Sequence, residues 1–193
     1  MIYSSKCWNC NRSITKLEIF CEVCNAIQQP TNWNPFDLFQ LNYDIEIDEK
    51  DLDEKLLELQ TKVHPDKFFN SSEKEKSYSI KVSSEVNNAY DTLKNNVKRI
   101  NFLLKLFKFK FDNEKQSFDD KTILGEIMEL QNKCLMCDSD NDKEIISKEI
   151  SEEVDNTLLE IKKNFSLKNL EKVHKFNVKL SYLEKLNDKL KKI

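Results

Sequence analysis

Residues Thr61 to Phe68 read TKVHPDKF, and the sequence on either side makes this stretch a break between two helices. Upstream, Leu52, Leu56, Leu59 and Val63 recur at i, i+4, i+7 and i+11, the stripe of an amphipathic helix. Pro65 pushes the residue before it out of the α region, so that helix is expected to end near Val63. Downstream, Ser72 and Glu75 form a capping-box pair, and Val82, Val86, Ala89 and Leu93 trace a second stripe with Tyr90 beside it. The stretch is therefore a short, proline-stiffened tip between two antiparallel helices. His64 and Asp66 lack the convergent partners of a catalytic centre: the other histidine is His174, and no nucleophile motif is present. Recognition suits them better, because a fixed, exposed carboxylate can accept the fork of a partner's arginine.

Working outward, Asn34 and Pro35 offer an N-cap and a first helical residue, with Phe36 and Phe39 on one face. A helix marked by Val97, Ile100, Leu104 and Phe107 follows the hairpin, then a polar connection, KFKFDNEKQSFDD, over 108–120. Three further stripes come after it: Ile123, Ile127 and Leu130; Ile150, Val154, Leu158, Ile161 and Phe165; and Val173, Phe176, Leu180, Leu183 and Leu190. Helices joined by short polar loops form antiparallel bundles. Composition agrees with an all-α fold, since 193 residues hold one glycine, Gly125, and three prolines, too few for the turns of a β-rich chain. Hydrophobic residues make up 39% and charged residues 34%, enough for a lean core with solvated helix faces. The net charge of −3 argues against general nucleic-acid binding. No apolar run approaches the ~20 residues that span a bilayer. The start, MIYSSKCWNC, has neither a secretory h-region nor an Arg-rich presequence, so a reducing compartment is expected.

The six cysteines fall as three Cys-x-x-Cys pairs. Cys7 and Cys10 in CWNC are separated by ten intervening residues from Cys21 and Cys24 in CEVC. Two such turns supply four thiolates in a tetrahedron, which suits one structural zinc ion with no open coordination position. An iron–sulfur cluster also uses four thiolates, but so short a module scarcely folds without a structural metal. Asn11 and Asn25 each follow the second cysteine of a pair, where a metal-binding turn bends into the left-handed region that asparagine tolerates. Cys134 and Cys137 form a lone i, i+3 pair and read as buried small hydrophobes. His174 reads as a surface or packing residue.

FDLFQL upstream of the tip, LLELQTKVHPDKF at the helix end and VNNAYDTLKNNVKRINFLL after it resemble the J domain of DnaJ-like co-chaperones. From about Pro35 to the C-terminus the chain is similar to the HscB-like family, which serves iron–sulfur cluster assembly. The paired cysteines resemble the zinc module of its eukaryotic members. This resemblance implies a zinc-binding module over 1–30, a J domain over 34–110 whose helical hairpin carries the HPD loop, and an antiparallel three-helix bundle over 118–193. It implies a protein that is not itself an enzyme. A DnaK-type heat-shock chaperone would be engaged by His64, Pro65 and Asp66, with Lys62 and Lys67. An iron–sulfur cluster scaffold protein would be held by Leu124, Met128 and Glu129 in ILGEIMELQ and by Tyr182 in SYLEKL. The pair of interactions would load the scaffold onto the chaperone, speed its ATP hydrolysis and promote cluster transfer. Neither nucleic acid nor membrane is an expected partner. The implied location is mitochondrial, with a cytoplasmic form and a weak homodimer left open. The chain departs from the family pattern in three places. Lys55, Lys62 and Lys67 are offset by Glu49, Asp51, Asp53, Glu54 and Glu58; Gly125 stands where a larger apolar residue is usual; and Asn132 stands where an acid is usual.

Two other classes of function compete with this reading. A zinc-ribbon nucleic-acid binder would need more basic residues than Lys6, Arg12 and Lys16 around Trp8. A dithiol oxidoreductase would need an exposed cysteine of low pKa, and four converging sulfurs would oppose it.

Overall fold

A computed structural model of the chain describes residues 5–110 and 121–192. It divides into two compact units, Met1–Asn96 and Val97–Ile193. The expected polar connection lies outside the described residues beyond Lys110.

The first unit opens with β1 (Ser5–Lys6) and β2 (Ser13–Ile14), an antiparallel pair in which Ser5 faces Ile14 and Lys6 faces Ser13. A single bridge, Phe20 to Ile27, closes the second cysteine turn in the same way. Helix α1 (Pro35–Leu38) is one turn long, with Asn34 Oδ1 accepting from the Phe36 amide at 3.0 Å. It sets the buried Phe36 and Phe39 against α3. Helices α2 (Glu49–Val63) and α3 (Glu73–Lys94) form the expected hairpin, and α2 ends at Val63. The capping box at Ser72 and Glu75 is present in both directions. Leu52, Val63, Val82, Val86 and Leu93 are fully buried between the helices, while Leu56 and Leu59 are half-buried. Polar contacts clamp the same seam. Tyr90 donates to Asp53 at 2.8 Å, and Lys94 reaches both Glu49 (3.0 Å) and Asp53 (3.2 Å).

The second unit contains α4 (Asn96–Leu106) from Val97 onward, α5 (Lys121–Leu135), α6 (Asp140–Ser166) and α7 (Leu170–Leu190). Helix α5 packs on both α6 and α7, which pack on each other. The buried faces carry Ile123, Ile127, Leu130, Ile150, Ile161, Val173, Leu180, Leu183 and Leu190 of the three sequence stripes, while Val154, Leu158, Phe165 and Phe176 of the same stripes are half-buried. Two features extend them. Helix α6 begins ten residues before Ile150, because Ser139 caps it through the Asp142 amide and the first-turn acids suit its positive end. Phe107 lies just beyond α4 and meets Phe165 edge-on at 5.7 Å. Asn177 on α7 donates to Val97 O (3.3 Å) and Asn101 Oδ1 (3.0 Å), tying α7 to α4.

Lys179 is the one buried lysine among the described residues. Its ammonium donates to Glu126 of α5 at 2.7 Å and to Glu153 of α6, so one cation joins three helices. Burial alone would pull its pKa down, and the two carboxylates outweigh it and raise it.

Three helices close without glycine. Gln40, Lys108 and Lys168 have φ of 52°, 60° and 57°. In each case the next amide reaches back to a carbonyl five residues earlier: Leu41 to Phe36 (2.8 Å), Phe109 to Leu104 (2.9 Å) and Asn169 to Asn164 (2.9 Å). These are Schellman closures, a position that glycine normally fills.

Candidate functional site

Pro65 forces His64 into extended backbone at φ −56°, ψ 130°, which ends α2, and residues Pro65–Phe68 form one 3₁₀ turn. The turn is pinned from within. The Lys67 amide donates to His64 O at 3.0 Å, and the Asp66 amide donates to His64 Nδ1 at 3.3 Å. The Asp66 carboxylate lies 3.6 Å from the same nitrogen, and its side chain is 91% exposed. A rigid turn thus presents a carboxylate to solvent from the end of a clamped hairpin. Lys62 pairs with Glu58 and Lys55 with Asp51 at 2.7 Å, so two of the nearby cations are neutralised on their own helix. Lys67 is exposed and has no ion pair among the described residues.

The four sequence-predicted cysteines come together. Each pair sits on a tight turn in which the Asn11 amide donates to Cys7 O (2.9 Å) and the Asn25 amide to Cys21 O (2.8 Å). Asn11 and Asn25 both have positive φ, 60° and 56°. The four Sγ atoms all lie within 4.8 Å of one another, with Cys7–Cys24 at 3.6 Å and Cys10–Cys21 at 3.7 Å. An ion holding four sulfurs at about 2.3 Å spaces them about 3.8 Å apart, so these thiols fit a metal ion. The amides of Cys24 and Val23, with the Arg12 side chain, draw the Cys21 thiol down to about 6 against its burial. At Cys10 the Arg12 amide favours the thiolate, but desolvation and the three facing sulfurs push it up to about 11. Four thiolates at this spacing call for a cation. Cys7 and Cys21, the two thiols drawn down, are buried, and all four sulfurs converge, which is the wrong arrangement for an attacking dithiol.

Residues that sequence spacing did not single out complete the centre. The buried Gln28 donates to Cys7 Sγ at 3.5 Å and to Ala26 O at 2.6 Å. Arg12 pairs with the buried Glu18 and with Glu22, and Lys16 pairs with Glu22 at 2.6 Å. Two of the three basic residues around the cysteines, Arg12 and Lys16, are thus bound to acids of the module itself. Trp8 donates its indole N–H to Ile27 O at 2.7 Å and meets Tyr78 of α3 edge-on at 5.9 Å. The cysteine module therefore rests on the hairpin.

On the second unit, Leu124 and Met128 of α5 and Tyr182 of α7 are 41%, 55% and 42% exposed, large apolar surfaces turned away from the core. Glu129 is 3.4 Å from Lys133. Gly125 shares this side of α5, and a Cβ there would meet nothing within 4 Å. Cys134 is buried in the core, where desolvation raises its thiol, and Cys137 is half-buried at the edge of that core. His174 is half-buried against Phe109, and burial lowers its pKa.

Comparison with known proteins gives a consistent result. The profile of the HSCB C-terminal oligomerisation domain matches residues 119–191. The human iron–sulfur cluster co-chaperone protein HscB is 31% identical over 194 aligned positions, covering 96% of this chain and 81% of that protein. An Arabidopsis thaliana HscB homologue is 36% identical over 126 residues, which is 65% of this chain and 49% of the plant protein. The crystal structure of human HscB superposes with a TM-score of 0.88 at 28% identity, covering 97% of each chain.

Proposed function

The chain belongs to the HscB family of iron–sulfur cluster co-chaperones, and from that membership we propose that it binds a cluster scaffold protein, brings it to a DnaK-type heat-shock chaperone and stimulates that chaperone's ATPase. The observation that carries the proposal is the tip at His64, Pro65 and Asp66, an exposed carboxylate held on a stiffened turn. ATP hydrolysis belongs to the chaperone, and this chain supplies contacts rather than chemistry. Lys67 lends the tip its unneutralised charge, and Lys62 borders it. The scaffold sits on Leu124, Met128 and Glu129 with Tyr182, where exposed apolar side chains on two helices support a docking face. We assign the hairpin and its neighbours to a J domain over 34–110 and the bundle over 118–193 to the scaffold. The four thiols hold one zinc ion in a closed, structural site. The location proposed is the mitochondrion, following the eukaryotic members with paired cysteines.

Asp66→Asn tests the central step. It preserves shape and removes the charge, and a hydrogen bond to a charged group contributes roughly 1.5–3 kcal/mol. Stimulation of a DnaK-type ATPase is expected to vanish while helical circular dichroism is unchanged. Full stimulation by the variant would refute the assignment.

A further inference from the structure

Trp8 occupies the second position of the first cysteine turn, between two of the four converging thiols. Its side chain leaves that turn in two directions. The indole N–H anchors to Ile27 O, beside the second turn, and the ring lies against α3. There it meets Tyr78 edge-on, with the Lys74 ammonium 4.5 Å above the indole. Lys74 and Tyr78 are four residues apart and share one face of the helix's first two turns. Ser79 and Val82 are buried in the same region, and α3 also packs against the 3₁₀ turn that carries Asp66. The start of α3 is thus held by the cysteine module, and the same helix packs against the tip.

The module has little apolar core of its own. Cys7, Cys21 and Ile14 are its buried cluster, with Cys24 packed against them. Segments of this size fold on their metal, so the orientation of Trp8 depends on a filled site. We propose that Trp8 is a positioning residue through which occupancy of the four-thiol site sets the order of residues 73–81 and, through them, of the tip. This rests on the zinc and chaperone readings above and adds that the metal site acts on the chaperone-facing element rather than folding in isolation.

Amide hydrogen exchange on the full reduced chain tests it without any partner protein. In the zinc-loaded wild type, chelation is expected to speed exchange in 73–81 at least threefold, with 86–94 little changed. Trp8→Ala, still carrying one zinc per chain by elemental analysis, is expected to exchange at the chelated rate in 73–81 and to respond no further to chelator. Trp8→Phe keeps an aromatic ring beside Tyr78 and beneath Lys74, and is expected to restore most of the wild-type protection. Wild-type exchange unmoved by chelation, a Trp8→Ala protein as protected as wild type, or a chain that takes up no zinc would each overturn the proposal. Loss of ATPase stimulation in Asp66→Asn addresses the chaperone reading alone, so the two can fail separately.

Discussion

Gln28 stands twenty-one positions from Cys7, yet its amide reaches the sulfur. A buried donor to a thiolate steadies its charge and fixes its direction. Outer partners of metal ligands typically contribute 10–100-fold in affinity. Gln28→Ala is therefore expected to weaken metal binding by about that factor, measured by competition with a chromophoric chelator, while the helical signal stays constant. At this scale the sequence was legible where a residue's own chemistry determines its role. Asn11 and Asn25 could be placed in the left-handed region because few side chains tolerate it and each follows a ligand pair. His64 and Pro65 announced the end of α2 for a similarly local reason. Gln28 and Trp8 could not be read in this way. A glutamine or a tryptophan has no spacing signature, and their partners are supplied only when the fold brings distant segments together.

At the scale of the helix, the chain spends its one glycine in the wrong place for stability. Gly125 sits inside α5, where helix propensity disfavours it, while Gln40, Lys108 and Lys168 take up left-handed closures that glycine would fill without strain. A non-glycine residue in that conformation costs roughly 1–2 kcal/mol. Glycine's greater freedom when unfolded returns part of that, so Lys168→Gly is expected to stabilise the chain by about 1 kcal/mol. Gly125→Ala adds about 0.8–1 kcal/mol by propensity, and its methyl group enters open space. Both should raise the urea midpoint, and a fall in either would contradict the closure geometry or the open side of α5. Helix existence followed from apolar period, because Val82, Val86, Ala89 and Leu93 or Leu180 and Leu183 can be buried together only on a helix. Helix ends were less legible. The first turns of α6, DNDKEI, are polar enough to pass for a loop, and only the Ser139 cap and Ile146, packed in the core, show that they are helical.

At the scale of the whole chain, the two proposed contacts fall on different units. The tip lies in the first and the apolar face of α5 and α7 in the second. A Leu124→Ala, Met128→Ala, Tyr182→Ala triple change is expected to lower scaffold affinity by tens-fold or more, since apolar and aromatic anchors carry roughly 1–2 kcal/mol or more each. Basal stimulation of the chaperone should remain. Calorimetry showing unchanged scaffold binding by the folded triple variant would place that interface elsewhere. Half of this division was legible from the stripes: Ile123, Ile127 and Leu130 claim the core, which leaves Leu124 and Met128 facing outward. Lys179 was not, because a lysine on an apolar stripe reads as solvated until two acids from other helices are seen around it. Its position has a consequence for protein chemistry. Acetylation removes the charge of a lysine. At an exposed lysine this can happen at any time in the life of the chain. At Lys179 the ammonium is enclosed once the three helices meet, so a modifying reagent reaches it only before assembly. A chain acylated there would leave the exposed Glu126 and the half-buried Glu153 without their shared cation, and three helices without the ion pairs that join them. Once the chain is folded, this amine is therefore expected to react with an acylating reagent far more slowly than the exposed lysines, which mass spectrometry of the labelled protein would read.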